Sequence, residues 1–295
     1  MLSPLRLALG SLVVGVVVFG LKYAAFLVTG SIGLYSDALE SIINIGTALA
    51  ALAAIWFAGK PADANHPYGH SKAEYFSAVA EGVLIIVAAA TILREAYNGL
   101  IDPPEIVEVG QGLAINLAAT ALNAGWGILL ITMGRRHRSP ALAADGRHLM
   151  ADVITSVGVV VGVLIATAFD VPVIDPIVAA LVALNVLWSG WRLVRASIGG
   201  LMDEAPPPDE LERVRALIAS HAEGAIEAHD LRARLAGRLM FIDFHLVVPG
   251  GMSVSDAHDI CDRIEQAIRD EVKDARITIH VEPENKAKHA GIVVL

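Results

Sequence analysis

The sequence contains one cysteine, Cys261, among its 295 residues. A single thiol excludes an internal disulfide and any metal site built from several thiolates. Charged residues make up only 18% of the chain, and the net charge is −9. Phosphate binding needs clustered Lys and Arg, so this acidic chain is a poor candidate for a nucleic-acid partner. The zinc-protease motif HExxH is also absent.

Long apolar stretches dominate the first two thirds of the chain. Hydrophobic residues account for 55% of the sequence, and the mean hydropathy is positive. A membrane-spanning helix needs about 20 mostly apolar residues. Six stretches qualify, at residues 7–29, 35–58, 74–98, 111–133, 141–168 and 173–194. The first lacks a small-residue cleavage site, so we expect a retained helix and not a signal peptide. The sequence predicts a six-helix transmembrane domain over residues 1–202.

Basic residues in the short connections predict the orientation of these helices. Lys and Arg occur in segments 59–73 and 134–147 and directly after the sixth stretch, whereas segment 99–110 carries only acidic charges. Short loops rich in Lys and Arg stay on the cytoplasmic side. We therefore expect a multi-pass protein whose two termini both lie in the cytoplasm.

The last part of the chain is polar and has a different organisation. The run Pro206–Pro208 cannot continue a helix, so the membrane part ends before it. Periodicity then predicts a helix, two strands, a helix and a third strand, at residues 210–222, 226–234, 238–248, 254–272 and 276–283. The order αββαβ favours a small α+β sandwich, with its helices on one face of the sheet. We assign this cytosolic domain to residues 203–295.

Two apolar stretches carry similar polar motifs, SDALESIIN at residues 36–44 and ADGRHLMAD at residues 144–152. Each motif places polar side chains at positions i, i+3 and i+7, which is one stripe of a helix. The residues are Asp37, Glu40 and Asn44 in the second stretch, and Asp145, His148 and Asp152 in the fifth. A charge at the bilayer centre costs at least about 2.5–3.5 kcal/mol, so five ionisable groups need a function. With both termini inside, the two motifs run antiparallel, which points weakly to an inverted transporter repeat.

Four of these residues could surround one divalent cation. Glu40 and Asn44 lie at i and i+4, as do His148 and Asp152, so two facing helices can supply four ligands. We expect antiparallel crossing to bring Glu40 near Asp152 and Asn44 near His148. A set without thiolate suits Zn²⁺, Mn²⁺, Fe²⁺ or Co²⁺. The alternative is a polar seam that joins the helices by hydrogen bonds. That alternative weighs most for Asp37 and Asp145, which lie closer to opposite membrane faces and could instead line access routes or bind helix ends.

Two further clusters contain metal-ligating residue types. Asp63, His66 and His70 lie close together in the cytoplasmic segment 60–74, and they form either a surface metal site or an ordinary solvated loop. Four histidines of the C-terminal part lie on different elements, namely His229, His245, His258 and His280, and Glu282 follows His280 by two residues. The two-residue period of a strand puts His280 and Glu282 on one side. These groups form either cytosolic metal sites or structural histidines.

The motifs together resemble the cation diffusion facilitator family, especially its bacterial ferrous-iron and zinc efflux branch. The resemblance rests on SDALESIINIG, PADANHPYGHSKAE, HLMADVITSVG, GLMDEA, AHDLRAR, FIDFHL and IHVEP, and it covers nearly the whole chain. It implies a homodimer in the bacterial inner membrane, with a metallochaperone-like cytosolic domain. It further implies export of a divalent metal, Zn²⁺ or Fe²⁺ with Mn²⁺ or Co²⁺ as further options, in exchange for protons.

The resemblance also implies roles for individual residues. Glu40, Asn44, His148 and Asp152 match the transport site, and Asp63, His66 and His70 match the loop site. The five C-terminal residues, His229, His245, His258, His280 and Glu282, match metal sites that bridge the dimer. Lys72 and Asp203 match a charged pair that locks the protomers together.

Two positions depart from the pattern of the zinc-transporting members, which carry His or Asp where this chain has Glu40 and Asp where it has Asn44. The transport site therefore has more oxygen ligands than a two-histidine site, which shifts its metal preference toward Mn²⁺, Fe²⁺ or Co²⁺ relative to Zn²⁺. Two rival functions remain open at this stage. One is a membrane scaffold that senses metal without moving it. The other is an intramembrane metalloenzyme, which would need an open metal position and a general base.

Overall fold

The computed structural model describes residues 3–29, 32–101, 110–169, 174–289 and 291–293. Some side chains within these ranges lie outside the description, among them those of Asp37 and Glu40. The chain forms two compact units, Met1–Ile198 and Gly199–Leu295.

The first unit consists of long apolar helices. Their bounds are α1 Pro4–Thr29, α2 Ile32–Ala58, α3 Ala73–Ile101, α4 Gly110–Arg136, α5 Pro140–Phe169 and α6 Ile174–Leu201. At about 1.5 Å per residue, each of them exceeds the roughly 30 Å thickness of a bilayer core. Among the described residues, three segments meet the length and hydropathy of a membrane span, Pro4–Ala24, Ala73–Ile101 and Leu117–Arg136. A shorter apolar segment, Asn44–Ala58, follows the polar motif of α2.

Small residues allow close contact between α4 and α5. A Cβ atom added at Gly146 would lie 2.8 Å from the carbonyl oxygen of Gly127. Further along the same pair, a Cβ at Gly134 would lie 2.7 Å from the backbone nitrogen of Ala143. Helices in membranes associate through such small-residue surfaces, because burying apolar side chains gains little in lipid. This contact fixes α5, which carries the second polar motif, against α4.

The second unit is a sheet with two helices. Its elements are α7 Pro208–His221, β1 Glu227–Ala236, β2 Leu239–Val248, α8 Val254–Glu271, β3 Ala275–Pro283 and β4 Ile292–Val293. The strand order is β3-β2-β1-β4, with β1 antiparallel to β2 and to β4, and β3 parallel to β2. The predicted fold class, a helical membrane domain followed by an αββαβ domain, is confirmed. The short strand β4 is an addition that the sequence pattern did not predict.

The core of the second unit lies on one face of its sheet. Ile242, Phe244 and Leu246 alternate along β2 and are fully buried, together with Ile218 of α7 and Ile264 of α8. Cys261 belongs to the same core, and burial raises the pKa of its thiol. Because successive side chains of a strand point to opposite faces, His245 projects from the other face. That face carries the histidines described below.

Candidate metal sites

The polar motifs of α2 and α5 meet inside the first unit. The side-chain nitrogen of Asn44 donates a 2.5 Å hydrogen bond to Oδ2 of Asp152. The Oδ1 atom of Asn44 lies 2.8 Å from Nε2 of His148. Asn44 and His148 are buried, and Asp152 is half-buried. The structure therefore joins three of the four predicted transport ligands in one contact network.

This network defines the protonation of the histidine. The amide nitrogen of Asn44 faces a carboxylate, so its oxygen must face the imidazole, and an amide oxygen can only accept. Nε2 of His148 therefore carries the proton in this arrangement. Nδ1 of the same ring is buried and has no hydrogen-bond partner. A metal that binds at Nε2 has to displace this proton, because a metal ligand must present a lone pair.

The remaining residues of the two motifs are Glu40 and Asp37 on α2 and Asp145 on α5. Glu40 lies on α2 one turn before Asn44, and the side chains of Glu40 and Asp37 lie outside the described part of the structure. Asp145 lies on α5 one turn before His148 and is fully buried. Its Oδ2 accepts a 2.5 Å hydrogen bond from the hydroxyl of Ser11 on α1, while its Oδ1 has no partner.

A buried carboxyl that the motif analysis missed lies on α3. Glu81 is 1% exposed, and its Oε1 accepts a hydrogen bond from Ser77 at 3.2 Å. Its Oε2 has no partner, and the nearby Asp145 acts on it electrostatically. The signal available in the sequence was an acidic residue in the apolar middle of the third stretch, whereas Glu74 and Glu95 lie near its ends. No second polar residue type with metal-ligand spacing marked it.

The loop between α2 and α3 brings its three predicted residues together. Asp63, His66 and His70 each offer a ligand atom, and these atoms lie within 4.8 Å of one another. Oδ1 of Asp63 lies 3.1 Å from Nδ1 of His66, and Oδ2 lies 3.4 Å from Nε2 of His70. The backbone N–H of His66 donates to the Asp63 carboxylate at 2.7 Å and lowers the pKa of that group. His70 is buried against the edge of Phe57, so one side of the cluster is rigid while Asp63 and His66 are exposed.

Three histidines form a row across the sheet of the second unit. His229 of β1 pairs directly with His245 of β2, and His245 pairs with His280 of β3. Neighbouring ring centroids are 5.3 Å and 4.9 Å apart. Register alone explains the row, since directly opposed residues of adjacent strands share a face.

Glu282 links the members of this row. Its Oε2 lies 3.3 Å from Nε2 of His229, and its Oε1 lies 3.2 Å from Nδ1 of His245 and 3.7 Å from Nε2 of His280. The burial of the row is graded, with the His229 side chain 4% exposed and that of His280 66% exposed. The predicted residues His229, His245, His280 and Glu282 thus meet on the face of the sheet opposite the helices.

Asp230 is a member of this cluster that the sequence analysis did not single out. Its carboxylate and the rings of His229 and His245 offer atoms within 4.8 Å of one another. In a regular strand Asp230 would face away from His229. The register of β1 shifts after His229, and Asp230 has a φ of 53°, so the alternation is broken there. A positive φ at a non-glycine residue can be read only from the backbone.

Glu227 holds the innermost histidine in place. Its Oε1 lies 2.9 Å from Nδ1 of His229 and accepts a 2.6 Å hydrogen bond from the backbone N–H of Lys288. Its Oε2 accepts from the N–H of His289 at 3.0 Å. These bonds lower the pKa of Glu227, the bond from Lys288 most of all. With Nδ1 donating to Glu227, Nε2 of His229 is left to face the cluster, which is the orientation a metal ligand needs.

Two further predictions concern His258 and the pair formed by Lys72 and Asp203. His258 lies on α8, where its ring is exposed and pairs with Asp262 at 3.6 Å, so it does not join the row of histidines in the described structure. Lys72 belongs to the first unit and Asp203 to the second. Asp203 accepts a 2.9 Å hydrogen bond from Nη1 of Arg234. The pair formed by Lys72 and Asp203 stays a prediction.

Comparison with known proteins agrees with this arrangement of two parts. Residues 8–202 match the cation efflux transmembrane domain, and residues 206–284 match the cation efflux protein cytoplasmic domain. An uncharacterised transporter of Synechocystis is 44% identical over 264 residues, covering 90% of this chain and 85% of that protein. The cation-efflux pump FieF of Escherichia fergusonii is 29% identical over 267 residues, covering 89% and 87%. A solved structure of the putative zinc transporter CzrB in its zinc form is 46% identical, with a TM-score of 0.28, and covers 30% of this chain and 99% of that one.

The matched domain models together cover most of the chain, and the first of them alone covers more than half. The protein is therefore a multi-pass membrane transporter with a cytoplasmic C-terminal domain, and not an enzyme. The chain belongs to the cation efflux, or cation diffusion facilitator, family.

Proposed function

We propose that this protein exports a divalent transition metal from the cytoplasm in exchange for protons, with Glu40, Asn44, His148 and Asp152 as the transport site. The observation that carries the proposal is the buried contact of Asn44 with both His148 and Asp152 between two membrane helices. A purely structural seam would satisfy its polar groups, whereas Nδ1 of His148 has no partner. The cation-efflux pump FieF, a relative over most of the chain, supports export as the direction of transport.

The exchange of metal for protons follows from the protonation of the ligands. A metal at Nε2 of His148 needs the neutral ring with its one proton on Nδ1, so a doubly protonated His148 releases one proton when the metal binds. Histidine titrates near neutral pH, with an unperturbed pKa of about 6.5, so the released proton can return when the metal leaves. Asn44 binds metal only through its oxygen and carries no exchangeable charge. His148 and the two carboxylates of Glu40 and Asp152 therefore supply the protons.

The substrate is Zn²⁺, Fe²⁺, Mn²⁺ or Co²⁺. Three of the four ligands offer oxygen, which favours Mn²⁺, Fe²⁺ and Co²⁺ more than a two-histidine site does. The buried carboxyl of Asp145 lies nearer the first residue of α5 than His148 does, and buried Glu81 lies near Asp145 on α3. They would attract a cation on its way to His148.

The cytosolic row regulates transport in this proposal. The histidines and Glu282 project from the sheet face that the helices leave open, where a second protomer can contribute further ligands. Metal bound there would hold two cytosolic domains together as a homodimer and favour the transport-competent state. Exposed His258 would take part only through such a partner. The loop site at Asp63, His66 and His70 would bind metal beside the membrane domain.

Metal uptake into sealed proteoliposomes with an imposed pH gradient tests the proposal. Zn²⁺, Fe²⁺, Mn²⁺ and Co²⁺ are compared for the wild type, Asp152→Ala and His148→Ala, with His137→Ala as a control outside the transport site. We expect gradient-dependent flux in the wild type and the control, and loss of it in the two site variants. Metal binding without flux in the wild type would instead indicate a metal-sensing scaffold.

A further inference from the structure

A cavity of about 430 Å³ lies between α4, α5 and α6 in the first unit, and none of the metal-ligand candidates described above lines it. Each helix contributes one arginine to its wall, Arg135 from α4, Arg147 from α5 and Arg192 from α6. Asn185 and Ser189 add polar side chains, and Trp188 stands at the wall with 60% of its surface exposed. Three cations around one cavity call for an anionic occupant.

Among the described residues, no carboxylate forms an ion pair with Arg135, Arg147 or Arg192. Arg135 and Arg192 act electrostatically on Arg147, which is half-buried between them. Arg135 and Arg192 are exposed and able to reach into the opening. Holding like charges together around a partly enclosed space costs free energy, and an anion in the cavity would remove that cost.

The cavity lies at the cytoplasmic ends of its helices. The C-terminal domain is cytoplasmic, and α6 leads into it, so the last turns of α6 and α4 and the first turns of α5 face the cytoplasm. Arg135 is next to the last residue of α4, and Arg147 lies seven residues after the first residue of α5. At about 1.5 Å per residue, Arg147 is roughly 10 Å from that end, which a long guanidinium side chain can span to reach the headgroup layer.

The wall becomes apolar toward the centre of the membrane. On α4, Ile131 lies one turn deeper than Arg135, and on α5, Ile154 lies two turns deeper than Arg147. Trp188 lies one turn deeper than Arg192 on α6, and tryptophan prefers the level between headgroups and acyl chains. A charged end followed by an apolar wall matches a phospholipid, whose phosphate is followed by acyl chains.

We propose that this cavity binds the headgroup phosphate of an anionic phospholipid from the cytoplasmic leaflet, with an acyl chain along Ile131 and Ile154. Basic pockets between membrane helices on the cytoplasmic side suit such headgroups. The guanidinium groups of Arg135, Arg147 and Arg192 donate to the phosphate oxygens. The bound lipid joins α6 to the pair formed by α4 and α5. This proposal does not depend on which metal is transported.

Lipid retention in delipidated, detergent-solubilised full-length protein tests the site. Phosphatidylglycerol is added, with phosphatidylcholine as the neutral probe and inorganic phosphate as the free anion, and binding is read by native mass spectrometry and by thermal shift. The variants Arg147→Gln and Arg192→Gln are compared with Arg136→Gln and Arg195→Gln, which remove exposed arginines next to the cavity but not on its wall.

We expect phosphatidylglycerol, and not phosphatidylcholine, to be retained and to raise the melting temperature. Each cavity substitution should lower its apparent affinity by roughly fivefold, the factor for one basic residue at an anionic lipid surface. The control substitutions should leave it unchanged. If the cavity and control variants lost affinity for phosphatidylglycerol equally, the lipid would be attracted by diffuse surface charge, and the proposed site would be wrong. If inorganic phosphate raised the melting temperature as much as phosphatidylglycerol does, a lipid would not be the occupant of the cavity. Arg192→Gln alters an exposed residue, so it keeps the test valid if Arg147→Gln does not fold.

Discussion

Asn44 donates a 2.5 Å hydrogen bond to Asp152 across the contact of α2 with α5. Through its other amide atom the same side chain reaches His148 at 2.8 Å. A neutral amide can bridge a carboxylate and an imidazole in this way because it offers one donor and one acceptor. A carboxylate at the same position would have no donor for Asp152. Asn44 therefore stabilises the site without metal, and in the proposed transport site its oxygen would also bind the metal.

The substitution Asn44→Asp separates these two roles. Without metal, Asp152 loses a buried donor, which should lower the free energy of unfolding by about 1–3 kcal/mol. With metal, the added carboxylate should move the transport ratio toward Zn²⁺. Thermal unfolding with and without Zn²⁺ and flux ratios in proteoliposomes measure both effects. Asn123→Asp on α4, a second buried amide, serves as the control. Unchanged metal ratios in Asn44→Asp would count against a direct ligand role.

The contact of α4 with α5 predicts opposite effects on stability for two glycine substitutions, one at Gly146 of α5 and one at Gly125 of α4. A Cβ at Gly146 would lie 2.8 Å from the carbonyl oxygen of Gly127, whereas a Cβ at Gly125 would meet no atom within 4 Å. Gly146→Ala should destabilise the membrane domain by about 1–3 kcal/mol, the usual cost of overpacking. Gly125→Ala should stabilise it by up to about 1 kcal/mol, because alanine loses less entropy in a helix. Melting temperatures in one detergent compare the two, and a Gly146→Ala protein as stable as wild type would disprove the close contact.

The sequence predicted those features that repeat with a regular period. Apolar stretches of more than 20 residues predicted the long helices, and the spacing of Asn44, His148 and Asp152 along their helices predicted one shared face. Strand alternation likewise predicted that His280 and Glu282 project together. Such features can be predicted because the geometry of a helix or strand determines, from sequence spacing alone, which residues share a face.

The features that the sequence did not predict are irregular or depend on tertiary contacts. Asp230 joins the histidines only because a bulge and a left-handed residue break the alternation of β1. The two residues of β4 are too few for any period, and their pairing to β1 follows the return of the chain past Glu227. Glu81 on α3 comes near Asp145 on α5 only through the packing of those helices.

The bulge at Asp230 predicts that its carboxylate can be removed without loss of the fold. Asp230 has a φ of 53°, a region that glycine adopts readily, so Asp230→Gly should keep the strand intact. Metal affinity of the cytosolic site should fall by roughly 10–100-fold, as when a supporting group at a metal site is lost. Equilibrium dialysis of the full-length protein, with His148→Ala to silence the membrane site, measures this. Asp243→Asn removes an exposed charge from the same sheet face and should change affinity little.

The bonds of Glu227 predict a pH dependence at the end of the chain. Its pKa is lowered below the ordinary value of 4.5, chiefly by the N–H of Lys288. A group with a depressed pKa stabilises the fold above its unfolded pKa, and that stabilisation is lost as the pH falls through the lower, folded value. Segment 287–289 should therefore stay bound to Glu227 at neutral pH and be released only in acid, below the pH at which a free glutamate takes up its proton.

Hydrogen exchange at the amides of Lys288 and His289 measures this release. In the wild type we expect protection at neutral pH, and a loss in acid greater than that of the β2 amides, once intrinsic exchange rates are taken into account. Glu227→Gln keeps an acceptor but loses the charge-assisted bonds, so its protection should be weaker at neutral pH and nearly independent of pH. Glu223→Gln, an exposed acid in the turn before β1, is the matched control. If Glu227→Gln kept the wild-type pH profile, another group would have to control the segment, and the orientation of His229 by Glu227 would lose its support.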